Sequence, residues 1–192
     1  VAQGGGGNYQ SNVSGCVYLA RTNTIRLLRS NTGQFEVGDS SGGAFTLPGS
    51  SLYLGITNML FVDTMRIGKQ KATNNLMTFN PAFTNLNPSV IIRGTNGLNS
   101  RMSVWTIGDA DTDTVVPINV DGTCDFTSGR LDALVKATTI GEGCTSATDS
   151  GKSLGVLTFT AGTLDSDILT NAVQRAINTA PATGIINVNG TA

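Results

Sequence analysis

Apolar and polar residues alternate along this chain in short runs that fall into recurring kinds. One kind is Gly155-Val156-Leu157-Thr158-Phe159, answered by Gly184-Ile185-Ile186-Asn187-Val188, with Leu76-Met77-Thr78-Phe79 as an earlier relative. Such runs are about 4 to 6 residues long, rich in β-branched and aromatic side chains and bounded by Gly, Asn, Ser or Asp, which predicts strands. A second kind ends in glycine: Phe35-Glu36-Val37-Gly38, Met65-Arg66-Ile67-Gly68, Trp105-Thr106-Ile107-Gly108 and Thr138-Thr139-Ile140-Gly141. Its glycines recur at intervals of broadly similar length, and repeating the step from Gly108 to Gly141 once more reaches Ala172-Val173-Gln174, where Gln stands in place of Gly. A third element, Gly129-Arg130-Leu131-Asp132, returns as Gly162-Thr163-Leu164-Asp165 at the same interval that separates Gly108 from Gly141. Offsets that wander around fixed strand cores mean that loops change length while strands keep their places. Asp132 to Ala137 and Ser166 to Ile177 carry some helical spacing, yet they sit where other copies read as strand, so strand or short irregular turn is expected there.

Short strands at regular spacing suit a sandwich, a barrel or a solenoid. The fixed repeat decides for the solenoid, because one such unit cannot bury its inner face alone and must stack on a neighbour. The expected fold is all-β: a right-handed parallel β-helix (β-solenoid) of about six irregular coils, with strands stacking at about 4.8 Å. Residues 1–23 read as a flexible Gly-rich leader with room for a first strand. Residues 24–192 read as solenoid repeats, a fragment or subunit of a longer assembly. Expected inward residues are Phe35, Val37, Leu52, Leu54, Met65, Ile67, Phe79, Ile91, Val104, Ile107, Leu131, Leu134, Ile140, Leu157, Phe159, Leu164, Ile168, Ile185 and Val188, with Trp105 also in the core.

The later strand cores join into GxLTFxAGTLDxxxL followed by ATGxINVNGT. This pattern resembles the autotransporter-associated β-strand repeats of large secreted and surface-exposed bacterial proteins. The likeness is best from Gly129 to Ala192, where Gly162-Thr163-Leu164-Asp165 matches that family's GT(I/L)D turn, and Ala182 to Thr191 its ATGxxNVNGGT strand. The resemblance implies a passenger-like surface solenoid with a structural or adhesive role, and it carries no catalytic residues. The chain departs from the pattern in its cysteines, and it stops where the pattern runs on into another strand.

Composition sharpens the picture by exclusion. Charged residues make up 13% of the 192 residues, about half the usual share, so Ser, Thr, Asn and Gly cover the surface, as suits an extracellular protein. The net charge is -1 with no cluster of Lys and Arg, which leaves no electrostatic footprint for nucleic acid or anionic lipid. The longest apolar run, Met59-Leu60-Phe61-Val62, is far short of the ~18 residues that cross a bilayer, so no membrane insertion is expected. The chain opens at Val1 without a signal-like segment, and a processed or excised piece is expected. With no His, the usual Ser-His and Cys-His nucleophile pairs are impossible within this chain.

The remaining chemistry rests on carboxylates, Arg and three thiols. Asp109, Asp111 and Asp113, followed by Asp121 and Asp125, form the one concentrated set of hard oxygen ligands and a candidate calcium site; no other cofactor is required. The set starts like an EF-hand loop but has Thr114 where Gly is needed and Val120 where Glu is needed, so a solvated loop is the competing reading. Cys124 and Cys144 are spaced to close a disulfide loop, with Cys16 left over as a buried thiol or a link between subunits. A glycosidase needs two carboxylates about 5 to 9 Å apart, for which Asp132 and Asp165 on adjacent coils are the candidates. A lyase needs an Arg base, for which Arg93 or Arg101 would serve. Repetition of the Asp at equivalent turns argues for structure, and the chain is not expected to be an enzyme. The expected function is a structural extracellular solenoid, a surface stalk or filament subunit that self-associates end to end, with a carbohydrate-active or carbohydrate-binding module as the alternative. A polysaccharide or host surface is the outside partner considered.

Overall fold

The computed structural model describes residues 14–27, 34–39, 49–110, 119–144, 151–175 and 181–190. They form strands β1 (Cys16–Tyr18), β2 (Thr22–Arg26), β3 (Gln34–Asp39), β4 (Ser51–Leu54), β5 (Thr57–Phe61), β6 (Thr64–Lys69), β7 (Asn75–Phe79), β8 (Ser89–Arg93), β9 (Met102–Asp109), β10 (Val120–Glu142), β11 (Ser153–Val173) and β12 (Ala182–Val188). A 3₁₀ helix over Pro81–Leu86 is the one helical element among the described residues. Of the stretches with helical spacing, 132–137 and 166–173 are strand, as expected.

Every pairing among the described strands is parallel, and the pairings sort into three ladders. The first runs β1, β4, β7, the start of β10, the start of β11, β12. The second runs β2, β5, β8, the middle of β10, the middle of β11. The third runs β3, β6, β9, the end of β10, the end of β11. The chain visits the ladders in order and starts again, which is a parallel β-solenoid; it makes about four turns. β10 and β11 are long because each bends through all three faces without a break. The first strand allowed for within residues 1–23 is β1, and β2 straddles residue 24, so the winding is already under way at Cys16.

One continuous core fills the tube. Leu52, Leu54, Leu60, Ile67, Met77, Phe79, Ile92, Trp105, Ile107, Phe126, Leu131, Ile140 and Leu157 are all buried within it, each such side chain contributing about 1.5 to 3 kcal/mol. Phe79 and Phe126, stacked in the first ladder, meet edge to face at 5.7 Å. The expected inward set is corrected at several places. Ile91, Val104 and Leu134 are half-buried, and their neighbours Val90, Ile92, Met102, Trp105, Ala133 and Val135 point inward instead. Ile168 and Ile185 are exposed, as is Val188, although Val188 stands opposite buried Phe159.

The glycine row is real. Gly38, Gly68, Gly108 and Gly141 line up in the third ladder with φ between 71° and 75°, a region that other residues enter only at a cost. The next member is Ala172, at φ 60°, and not Gln174: Ile140 pairs with Asn171 and Glu142 with Val173. The cause is a change of offset inside β10. Phe126 pairs with Phe159 at the interval of the sequence repeat, but Arg130 pairs with Ala161, an interval shorter by two. Two extra residues in that corner of β10 put the sequence repeat out of step with the true register. Asp132 therefore faces Thr163, and Asp165 faces Leu134.

Candidate functional site

Charged side chains gather in two places on this sparsely charged molecule. The first is the strand ends of the third ladder. The residue after each glycine of the row is charged there: Asp39, Lys69, Asp109 and Glu142 stack in register. Lys69 Nζ donates to Glu36 Oε1 at 3.0 Å and to Asp39 Oδ2 at 3.3 Å. Arg66 Nε donates to Asp109 Oδ2 at 2.9 Å and its Nη1 reaches Glu36 Oε1 at 3.5 Å. Arg175 pairs with Glu142. Asp39, Asp109 and Glu142 are buried, and removing one partner of such a buried pair is costly. Cations and carboxylates of successive coils interleave here, so the ladder holds the coils in register.

The second place is the corner between the second and third ladders, and it collects the four residues singled out for glycan chemistry. Arg93 donates through Nη1 to the carbonyls of Ile92 and Asp132, through Nε to the carbonyl of Leu98, and through Nη2 to Asp132 Oδ1 at 2.9 Å. Arg101 donates to the carbonyls of Val135 and Asp165, forks onto both Asp165 carboxylate oxygens at 2.9 and 2.8 Å, and lies 3.2 Å from Asp167. The residues are brought together, but as ion pairs. Each arginine spends donors on backbone carbonyls of later coils, the geometry for which a rigid guanidinium fork is suited. Asp132 and Asp165 are each neutralised and are two positions out of register, so they do not form a carboxylate couple across adjacent strands.

Of the candidate calcium ligands, Asp109 is committed to Arg66 in the third ladder, while Asp111 and Asp113 lie outside the described residues. Asp121 and Asp125 are on the first ladder: Asp121 accepts from the Asn74 amide, and Asp125 Oδ1 accepts from Thr127 N and Oγ1 at 3.0 and 2.8 Å. Half-burial of Asp121 pushes its carboxyl above the usual range, against the pull of the Asn74 and Asn75 backbone amides. Among the described residues no three or more acidic, Cys or His side chains cluster as a metal site.

The Cys124–Cys144 disulfide suggested by spacing is not formed. Cys124 is a thiol in the main core, and Cys144 is buried in a separate small cluster with Ala110 and Val120. Burial, with a smaller push from Asp125, raises the Cys124 thiol well above its ordinary value, which makes it a packing residue and a poor nucleophile. Cys16 is exposed rather than buried.

Two buried amides were missed in the sequence. Asn58 is fully buried, donating to the carbonyls of Gly55 and Ser89 and accepting from Asn23 Nδ2 and the Gly55 amide, each at 2.9 Å. Asn75 accepts from Ser50 N and donates to the carbonyl of Asp121 at 2.8 Å. The signal for the first was the recurrence of Thr22-Asn23 as Thr57-Asn58; Asn75 has no repeating partner to give it away.

These features define a class: a parallel β-solenoid whose coils are pinned by ion ladders and buried amides. Comparison with protein-family models, curated proteins and solved structures finds no match to this chain.

Proposed function

We propose that this chain is a structural unit of an extracellular stalk or filament: a right-handed solenoid of about six coils, counting incomplete ones, whose end docks on a further coil. Right-handedness is supported by the strong rule for parallel crossover connections. The coil number is supported by the membership of the first ladder, which takes β1, β4, β7, β10, β11 and β12 from successive passes of the chain. The likeness to autotransporter-type repeats and the low charge support a secreted setting.

The observation that carries the reading is the end formed by β11 and β12. Leu164, Leu169, Ile186 and Val188 stand in register with Ala133, Thr138, Leu157 and Phe159, all buried, yet are themselves left partly or largely exposed. Exposed apolar side chains beside a strand edge that no described strand pairs are what a further coil covers. In the middle of the tube, a parallel strand does so. Analytical ultracentrifugation and electron microscopy of the 192-residue chain over a range of concentrations test this. End-to-end assemblies that Leu169→Asp and Val188→Asp abolish, with the fold kept by circular dichroism, are expected. A monomer at every concentration, or assemblies indifferent to both substitutions, overturns it.

A further inference from the structure

A groove of about 390 Å³ lies on the side of the tube, at the corner between the first and second ladders. It exists because successive coils turn that corner differently. The chain from β7 to β8 goes round by the 3₁₀ helix, capped by Asn80 Oδ1 on the Ala82 amide and closed by Asn87 in a left-handed conformation. The β10 corner carries the two extra residues, and the β11 corner is the short one. Three successive corners of unequal length leave a hollow between them, and strand irregularities of this kind often mark sites.

The walls are fixed by bonds that do not use up the groove's chemistry. Thr160 Oγ1 donates to the Thr127 carbonyl at 2.8 Å, and the Arg130 amide donates to the Pro88 carbonyl at 2.8 Å. Gly129 sits so close that a β-carbon there would lie 2.2 Å from the Pro88 carbonyl oxygen. The other residues that line the groove are Arg130, Ser89, Ser128 and Asn87, which bring a guanidinium, two hydroxyls and an amide, together with Pro88 and Ala161.

Arg130 is the exception among the described arginines. Arg21 and Arg26 lie over the rings of Phe83 and Phe61, and Arg66, Arg93, Arg101 and Arg175 are in ion pairs. The Arg130 side chain makes no such contact among the described residues. In a protein that spends its arginines on structure, one cation left over in the walled groove is available for a ligand.

We infer that this groove binds a carboxylate-bearing saccharide, the Arg130 fork taking the carboxylate and the Asn87, Ser89 and Ser128 side chains taking ring hydroxyls. A planar guanidinium pairs with a carboxylate through two parallel bonds, hydroxyls and amides suit sugar hydroxyls, and the carbon surfaces suit the C–H face of a pyranose. The volume falls within the range of small-ligand sites. The groove lies on the side wall and is bounded on one side by Thr160 and Ala161 of the end strand β11.

Calorimetric titration with digalacturonate, with its methyl ester, and with the variants R130Q and K136Q tests the assignment. Lys136 is an exposed cation that does not line the groove. Digalacturonate is expected to bind the native chain, with at least about a tenfold loss on esterification or in R130Q, the effect of removing a charge-assisted bond; K136Q should bind as the native chain does. Absence of binding at millimolar digalacturonate, equal binding of acid and ester, unchanged binding by R130Q, or an equal loss in K136Q would each overturn it.

Discussion

β10 and β11 are neighbouring strands of nearly equal length, 23 and 21 residues, paired in parallel along almost their whole course, and yet they are buried very differently. Leu131, Ala133, Val135 and Ile140 of β10 are completely buried, while their partners Gly162, Leu164, Ser166 and Asn171 of β11 all keep some exposure. β11 contains its own control. Its first third, where β12 lies against it, buries Leu157 and Phe159; past Thr160, where no described strand covers it, burial stops. In a solenoid the inside is created by the neighbour on each side, so the same strand has a core where it is stacked twice and a surface where it is stacked once.

The largest test of this comparison follows one row of side chains across it. Phe126, Phe159 and Val188 are in register on β10, β11 and β12 and are 0%, 7% and 62% exposed. Phe126→Ala should cost about 3 to 5 kcal/mol, Phe159→Ala about 2 to 3, and Val188→Ala under about 0.5, as expected for core truncations of falling burial. Denaturant midpoints measure all three, and equal losses along the row would break the comparison. Next come the two corner arginines. Arg93 is buried and ties β8 to β10, whereas Arg101 reaches out to Asp165 and Asp167, which are about half exposed on β11. Arg93→Ala should cost about 2 to 3 kcal/mol, since it strands carbonyls and a carboxylate; Arg101→Ala should cost about 1 or less, because its partners face solvent.

The glycine row gives a test in which the two coils should answer with opposite sign. A β-carbon on Gly141 would lie 2.1 Å from the Thr183 carbonyl oxygen, and one on Gly108 would lie 2.3 Å from that of Leu154, so each glycine is roofed by a first-ladder strand two coils on. No described strand roofs Ala172, which holds the same left-handed conformation with a methyl group in place. Gly141→Ala should destabilise by about 1 to 3 kcal/mol from the contact and the conformation together, while Ala172→Gly should be neutral or gain up to about 1 kcal/mol by relieving the left-handed strain. Thermal melts of the pair decide it, and a loss in Gly141→Ala no larger than the gain in Ala172→Gly would show that the roof is irrelevant.

That row also shows what a sequence can and cannot reveal. Gly38, Gly68, Gly108 and Gly141 were visible because a positive φ under a close roof admits little else, and the charged positions one residue later, Asp39, Lys69, Asp109 and Glu142, could have been read from the same spacing. Ala172 was missed because two residues inserted in the β10 corner shift the count, and corner length leaves no mark on the strands. The inward phase failed at Ile91 and Leu134, where the residues on both sides are apolar too, so alternation carries no sign, and at Val104, where apolar Trp105 follows directly and takes the inward place. Asp132 with Asp165, and Arg93 or Arg101, were weighed for two separate chemistries, and composition could not say that the arginines would pair with the aspartates. The groove beside Arg130 depends on three unequal corners meeting, a matter of tertiary geometry.

The smallest expected effect is electrostatic and again sets β10 against β11. Asp121 on β10 is in register with Leu154 on β11, so the same outward row holds a carboxylate in one coil and an apolar side chain in the next. Half-burial raises the Asp121 carboxyl above its ordinary value. A raised acid holds its proton more tightly folded than unfolded, so ionising it costs stability as pH rises from the unfolded carboxyl range through the folded value, and the penalty is absent below that range. Asn at this position keeps an oxygen for the Asn74 amide without the charge. Asp121→Asn should therefore be more stable than the native chain at pH 7, by under about 1 kcal/mol, and the advantage should vanish near pH 3. A variant that is less stable at pH 7 and gains on acidification would mean that the bond from Asn74 outweighs burial, and that this position on β10 tolerates its charge as readily as a fully solvated one.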